Sequence, residues 1–286
     1  MAQEITMLRI KNSLTLLVLI GTMLSSSTSL ADGLTDLQQA LESLKGTTPI
    51  SATLTNTFTE KRGEGNDLKE QQGSADILLA DDGKGLQITY RKAILEVMEQ
   101  EASLKSEDED ASTPTQDAVN NLEASELKSK LSAAANLLRF IQKAQYQGEE
   151  PGTCELGEVR LLNFDLPLEA VISNKKVRDY VKRFDGEYRI WIDEKGFPLK
   201  SEINFSGKGR AFIFFTMEAQ AHTQTYYQVV GDRLVILDRK YHRAYDSSWD
   251  SSETRGEETL ALDQPHQLTD NNLIAICETG EQPSRG

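Results

Sequence analysis

A long alternating run from Ala211 to Val229 constrains the fold more than any other stretch of the chain. Its odd positions are apolar apart from two threonines, whereas its even positions include glutamate, glutamine and histidine. Successive side chains of a strand point to opposite faces of a sheet, so the run predicts a strand with one apolar and one solvated face. A straight strand of this length would span roughly 60 Å at about 3.3 Å per residue, which predicts a twisted and curved sheet.

The segments around this run predict an antiparallel sheet with a few helices. Glycine-containing links, among them Ser206–Arg210, separate apolar runs between Glu187 and Tyr245, which is typical of consecutive hairpins. Apolar residues at helical spacing predict helices at Leu34–Leu44, Ser125–Tyr146 and Ser173–Phe184. Further strands are predicted at Ser51–Lys61, Lys69–Ala80, Leu86–Tyr90, Val159–Leu166 and, at an edge of the sheet, Glu253–Leu262. The predicted fold class is α+β: a long-stranded, curved antiparallel sheet, an incomplete barrel, with helices on its concave side.

The first 31 residues have the pattern of a secretory signal peptide. Arg9 and Lys11 precede an apolar run that ends at Leu24, and Ser29-Leu30-Ala31 has the small residues of a cleavage site. A membrane anchor is the alternative, but a span requires about twenty apolar residues. We therefore predict cleavage near Ala31, a periplasmic or secreted location, one domain at 32–265 with an acidic loop near 103–117, and a C-terminal tail at 266–286.

The net charge limits the possible partners of the chain, and its cysteine content predicts how its C-terminal tail is held. The net charge of −14 would repel both nucleic acid and anionic lipid surfaces, so neither is expected as a bulk partner. Cys154 and Cys277 are the two cysteines, and in an oxidising compartment such a pair predicts a disulfide that ties down the tail. The alternative is two free thiols and a loose tail.

The order of the predicted elements resembles a known superfamily. A leading helix at Leu34–Leu44 precedes the threonine-rich strand Ser51–Lys61 and the strand pair Gly73–Leu79 and Leu86–Tyr90. Trp191-Ile192-Asp193 and Gly196-Phe197-Pro198 then flank a hairpin. This pattern is similar to the periplasmic lipoprotein carriers of the Lol type, and the resemblance implies an incomplete barrel that a helical lid closes over an apolar cavity. No residue-level functional motif accompanies it.

Motifs of catalysis or metal binding are absent from the sequence. His222 and His242 each stand alone on the polar register of strands predicted to be adjacent, so they are expected to approach each other without forming a metal site. No nucleophile elbow and no phosphate-binding loop before a helix is present. We therefore predict a protein that is not an enzyme and that requires no cofactor or metal; the alternative is a hydrolase, supported only by a few polar residues in loops.

The leading functional hypothesis is an exported, monomeric binding protein for an apolar ligand, either an acyl chain or a lipidated protein segment. The ligand would lie between the sheet and the helical lid, against Ile213, Phe215, Met217, Leu138 and Ile141. The alternative for these residues is a filled core. Phe212 and Phe214 lie on the opposite register, where a helix is expected to cover them.

A second hypothesis is a signalling or assembly adaptor of the cell envelope. It would bind a protein partner through a sheet edge or through the basic face of the helix at Ser173–Phe184, with Lys176, Arg178 and Lys182 in contact.

Overall fold

The structure is a computed structural model that describes residues 32–263 and 277–278. Within these ranges, residues 64, 121, 155–156, 173 and 212–214 and the side chains of 66, 211, 215 and 277–278 are not described. The chain divides into two compact units, Met1–Leu30 and Ala31–Gly286. The fold is that of the second unit. The predicted signal peptide lies outside the described residues, as does the predicted tail apart from 277–278.

The strands form one antiparallel sheet. They are β1 (Ile50–Arg62), β2 (Lys69–Asp81), β3 (Leu86–Tyr90), β4 (Gln145–Cys154), β5 (Gly157–Asp165), β6 (Val181–Ile192), β7 (Pro198–Ala211), β8 (Phe215–Val230), β9 (Arg233–Ser247), β10 (Ser251–Leu262) and β11 (Cys277–Glu278). The eleven strands lie in the order β11-β4-β5-β6-β7-β8-β9-β10-β1-β2-β3, which leaves the sheet open. The predicted α+β class, with a long-stranded antiparallel sheet not closed into a barrel, is confirmed.

Helices cover one face of this sheet. They are α1 (Gly33–Ser43), α2 (Lys92–Glu107), α3 (Pro114–Asn120), α4 (Ala124–Leu131), α5 (Ala134–Ile141), α6 (Leu168–Val171) and α7 (Lys175–Arg178). Strand register explains the covered face: Leu54 of β1 lies opposite Ile77 of β2 and Leu260 of β10, and all three are buried with α4 residues. Alternation along the strands therefore sets which side chains meet the helices.

Two parts of the covered face differ in character. Beneath α1 and α5, over β5, β6 and the start of β9, apolar side chains such as Leu37, Leu137, Ile141 and Ile190 pack into one core, and we call this the filled half. Beneath α3 and α4, over β1, β9 and β10, an apolar cluster around Leu54 and Leu127 gives way to charged and polar side chains. We call this second part the polar half.

The strand predictions are right in class and wrong in three places. The predicted run Ala211–Val229 is divided, since Ala211 ends β7 and Phe215 begins β8. The predicted turn Ser206–Arg210 lies inside β7, where Gly209 allows the Met217 side chain to cross it closely: a Cβ at Gly209 would lie 2.7 Å from Met217 Sδ. The strand predicted at Glu253–Leu262 is not at an edge, because β10 pairs with both β9 and β1.

The helix predictions required larger corrections. Leu34–Leu44 is confirmed as α1, which Asp32 caps through Leu34 N. Ser125–Tyr146 is not one helix: it breaks at Ser132–Ala133, where Ala133 N donates to Leu234 O in the sheet at 2.7 Å, and its last residues begin β4. The predicted basic helix Ser173–Phe184 is also wrong, since α7 has four residues and β6 begins at Val181. The acidic loop is shorter than predicted, with Asp108–Thr113 between α2 and α3.

No helix within the described ranges is long and apolar enough to cross a membrane.

Candidate functional site

Of the predicted apolar site residues, the structure describes the side chains of Leu138, Ile141 and Met217, and it does not bring these three together. Ile141 is buried in the filled half, and Leu138 packs against the same core while half-buried. Met217 lies elsewhere, in the part of β8 that pairs with Gly209 and Ser247. Ile213, Phe212 and Phe214 lie outside the described residues, and the side chain of Phe215 is not described. In the filled half, the helix side chains themselves occupy the space next to the sheet.

A cleft opens instead in the polar half, between the sheet and helices α3 and α4. Its volume is about 390 Å3, within the roughly 300–1,000 Å3 of small-molecule sites. The residues that line this polar cleft are Asn56, Phe58, Glu60, Arg62, Gln71, Asp117, Glu126, Arg239, Tyr241, Arg243, Thr254 and Glu258. Side chains of both charge signs therefore surround one space.

Strand register places these side chains in rows across β1, β10 and β9. Asn56 lies opposite Glu258, and Glu258 lies opposite Arg239. Two residues further along, Gly256 separates Phe58 from Tyr241, whose ring lies against the glycine. The next row holds Glu60, Thr254 and Arg243. Because alternate residues share a face, all three rows point toward the helices.

A buried charge network forms the inner wall of the cleft. Lys130 of α4 is 2% exposed, and its Nζ donates to Glu258 Oε2. Arg239 Nη1 lies 3.7 Å from the same oxygen, so one carboxylate serves two cations. Burial lowers the pKa of Lys130, and the neighbouring Glu258 carboxylate opposes that effect. Removing charges from water in this way is costly, and buried ion pairs are weak contributors to stability.

Asn56 presents an unpaired acceptor to the same cleft. Its side chain is 1% exposed, and Nδ2 donates to Ala118 O at the end of α3 at 2.7 Å. Its Oδ1 has no hydrogen-bond partner among the described residues. A buried acceptor without a donor costs about 1–3 kcal/mol, so a ligand that donates to it would recover that free energy.

The mouth of the cleft carries paired polar groups. Gln71 Nε2 donates to Glu60 Oε2 at 2.9 Å and to Asp117 Oδ2 at 3.3 Å. The Arg243 guanidinium lies 4.9 Å from the centre of the Tyr241 ring, a cation–π contact. Burial, followed by the charge of Glu258, raises the pKa of Tyr241 above its ordinary value. The mouth can therefore both donate and accept hydrogen bonds.

The predicted approach of the two histidines is confirmed on the other face of the sheet. His222 lies directly opposite His242 across β8 and β9. Each has a polar partner that the sequence did not indicate: His222 Nδ1 lies 2.5 Å from Asn204 Oδ1, and His242 Nε2 lies 2.9 Å from Glu253 Oε1. They border an open groove of about 780 Å3. Among the described residues, no group of three potential ligands could hold a metal ion.

The predicted partner-binding residues do not share one helix face. Lys176 lies in α7 and is exposed, Lys182 lies in β6 and is exposed, and Arg178 is partly buried and donates to Ile172 O at 2.7 Å. For the predicted disulfide, β11 pairs with β4 so that Cys277 lies opposite Cys154. The bridge itself stays a prediction.

The residues of the polar cleft were missed because they interrupt apolar patterns that otherwise predicted the core. Asn56 follows Ala52 and Leu54 on the inward register of β1, and Lys130 stands between Leu127 and Leu131 in the helical stripe. Such interruptions were the available signal. The sequence did not reveal that they converge, because convergence depends on β10 lying beside β1.

Comparison with known proteins leaves the family of this chain open. The chain matches no protein-family model, and no curated protein sequence matches it.

Proposed function

We propose that the chain is an exported, non-enzymatic binding protein that holds a small polar ligand in the cleft beneath α3 and α4. The ligand class is a zwitterion of amino-acid or short-peptide size. Its ammonium or amide group donates to Asn56 Oδ1, and its carboxylate accepts from Arg239 or Arg243. The unpaired Oδ1 of buried Asn56 is the observation that carries the proposal.

The charge distribution of the cleft supports a ligand with both signs of charge. Arg62, Arg239 and Arg243 line the same space as Glu60, Asp117, Glu126 and Glu258. A ligand with both signs of charge can meet wall groups of each sign, whereas a ligand with a single charge would also lie beside wall groups of its own sign, which is costly. The predicted location between sheet and helices is kept in this proposal, while the predicted apolar ligand is replaced by a polar one.

The test is isothermal titration calorimetry, in which residues 31–286 are titrated with a panel of free amino acids and dipeptides at neutral pH. We expect at least one of them to bind, and Arg243→Gln to weaken its affinity about tenfold, since a charge-assisted hydrogen bond at the mouth is lost. Arg255→Gln is the matched control, because Arg255 is an exposed arginine in β10 on the other face of the sheet. Binding that Arg255→Gln weakens as much as Arg243→Gln, or a panel without any binder, would contradict the proposal.

The apolar ligand remains a second candidate. Leu138, Phe140 and Val171 are only partly buried at the rim of the filled half, where an acyl chain could add to the core. Native mass spectrometry after incubation with a saturated fatty acid tests it. Retention of one fatty acid per chain, lost in Leu138→Asp and kept in Arg243→Gln, would favour the acyl chain over the zwitterion.

A further inference from the structure

Exposed apolar side chains of the described residues gather in two places. Leu95, Val97 and Leu104 belong to α2, and the other large exposed ones are Leu68, Val177, Tyr180 and Trp249. Trp249 is the most exposed of all, at 79%. So accessible a tryptophan is unusual on a folded protein, since Trp side chains prefer interfaces that are apolar at one side and wet at the other.

The second group shares one end of the sheet. Pairing aligns a row of residues across six adjacent strands: Arg62, Ser252, Tyr245, Ala219, Gly207 and Phe184. Leu68 follows β1, Trp249 lies between β9 and β10, and Tyr180 precedes β6, so all three lie beyond this row on the same side. At a strand spacing of about 4.8 Å, β6 and β9 are about 15 Å apart and β6 and β1 about 24 Å apart. We call Leu68, Val177, Tyr180 and Trp249 the tip surface.

The charge next to the tip surface differs from the charge of α2. Lys175, Lys176, Lys182 and Arg183 are exposed beside Val177 and Tyr180. Helix α2 has more acidic than basic side chains, and Asp246 and Asp250 flank Trp249 at the far side of the tip surface. Exposed basic side chains thus outnumber the exposed Asp179 and Asp185 around Tyr180, and Arg62 and Lys69 are exposed beside Leu68, in a protein whose net charge is −14.

We propose that the tip surface binds the interface of an anionic lipid bilayer, with Trp249 and Tyr180 at headgroup depth and Lys175, Lys176, Lys182 and Arg183 against the lipid phosphates. Aromatic side chains beside exposed lysines are the combination that binds membrane interfaces, because apolar burial and electrostatic attraction add. The proposal is independent of the polar cleft, which no tip residue lines.

The test uses Ala31–Gly286, a compact unit by itself, because the apolar N-terminal run would bind vesicles through its own side chains. Vesicles of phosphatidylcholine with one third phosphatidylglycerol are compared with pure phosphatidylcholine by co-sedimentation. We expect at least tenfold stronger binding to the anionic vesicles and a loss of most of that difference in 0.5 M salt.

Two variants separate the contributions of charge and apolar contact. Lys176→Glu/Lys182→Glu should weaken binding at least tenfold, whereas Lys84→Glu/Lys195→Glu, with the same charge change in turns at the opposite end of the sheet, should weaken it less than threefold. Trp249→Ala should weaken binding about fivefold or more, and Leu104→Ala, exposed on α2, should leave it unchanged.

Tryptophan fluorescence provides a direct readout. The chain has two tryptophans, and Trp191 is 1% exposed, so a blue shift on adding anionic vesicles reports on Trp249. The shift should be absent in Trp249→Ala. Equal binding to both vesicle types, equal effects of the two lysine pairs, or no blue shift would overturn the proposal. So would an acidic protein partner lost in Lys176→Glu/Lys182→Glu while vesicles do not bind, since that outcome assigns the surface to a protein.

Discussion

Helices cover both the filled half and the polar half of the sheet, but the side chains buried beneath the helices differ. Over β5 and β6, helices α1 and α5 place leucine, alanine and isoleucine directly on the sheet. Over β1, β10 and β9, helices α3 and α4 place Lys130 and the Ala118 carbonyl against Glu258 and Asn56. Apolar contacts need no particular partner, whereas buried charges and amides do. The filled half therefore stabilises the fold through apolar burial, whereas the polar half contains buried groups that each require a specific partner.

Breaking the buried ion pair should have the largest effect. Glu258→Gln leaves Lys130 buried without its carboxylate, and we expect a loss of about 3–5 kcal/mol in the free energy of unfolding, measured by urea titration. The control Glu257→Gln, the exposed neighbour on the other face, should change it by less than about 0.5 kcal/mol. The double variant Lys130→Met/Glu258→Leu should recover most of the loss. A double variant as unstable as Glu258→Gln would mean that the charges themselves stabilise the fold.

Truncating a core side chain in the filled half comes next. Leu37→Ala removes a fully buried side chain of α1 from a packed core, and we expect a loss of about 2–5 kcal/mol. Leu104→Ala on the exposed side of α2 is the control. The stability lost in Glu258→Gln should be recovered when Lys130 is also replaced by an apolar residue. The stability lost in Leu37→Ala should not be recovered by replacing any charged residue. A loss under about 1 kcal/mol would show that this half is less closely packed than the contacts indicate.

The contact of α3 with the sheet offers a smaller test of the polar half. A Cβ at Gly73 of β2 would overlap the Phe58 ring and the Pro114 carbonyl oxygen. Gly73→Ala should therefore displace α3 and cost about 1–3 kcal/mol. It should also speed amide hydrogen exchange in α3, with α5 unaffected. Gly85→Ala, where an added Cβ meets no atom within 4 Å, is the control. Faster exchange in α5 as well would indicate that the two halves do not open separately.

Acid should weaken two contacts at the start of β9. One joins Arg233 to Asp81 of β2, and the other joins Asp232 to Thr47 and Thr48, which precede β1. Burial alone would raise the pKa of Asp81, but the Gly83 N–H and the Arg233 guanidinium outweigh it and lower the pKa. Hydrogen bonds from Thr47 and Thr48 lower the pKa of Asp232. Because both folded-state pKa values lie below the ordinary value of about 3.9, their stabilisation is fully present above that pH and is lost as the pH falls below it and through the lowered folded-state values.

The measurement is the urea concentration at the midpoint of unfolding, determined at several pH values between 6 and 2.5. We expect a steep fall below about pH 4 that is shallower in Asp232→Asn. An acid limb identical in Asp232→Asn and the parent chain would contradict this assignment. This is the smallest of the four effects, since Asp232 lies near the surface and is screened by solvent.

Local patterns predicted what depends on local chemistry. The alternation in Ser51–Lys61 corresponds to β1 within one residue at each end, and Asp32 begins α1 as a cap. The break at Ser132–Ala133 was not predictable, because the backbone there bonds to Leu234, a residue about a hundred positions away. The strand at Val181 was hidden by basic residues that also fit a helix.

The polar cleft depends on long-range pairing that the sequence does not encode locally. Asn56, Lys130 and Glu258 come from three distant parts of the chain, and Asn56 and Lys130 each interrupt an apolar pattern. Once β10 is known to lie beside β1, the three side chains are seen to meet. The histidine pair was predictable because β8 and β9 are consecutive strands joined by a short turn.

The position of β10 between β9 and β1 has a consequence for how the chain is made. Thr57 in β1 donates its hydroxyl hydrogen to the Glu257 carbonyl across 200 residues of sequence. At a synthesis rate of about 5–20 residues per second, β1 and β2 are complete on the order of 10–40 s before β10 has been synthesised. Until then the unpaired edge of β1 can pair with strands of other chains. The newly synthesised protein therefore requires protection of this edge from association during the interval.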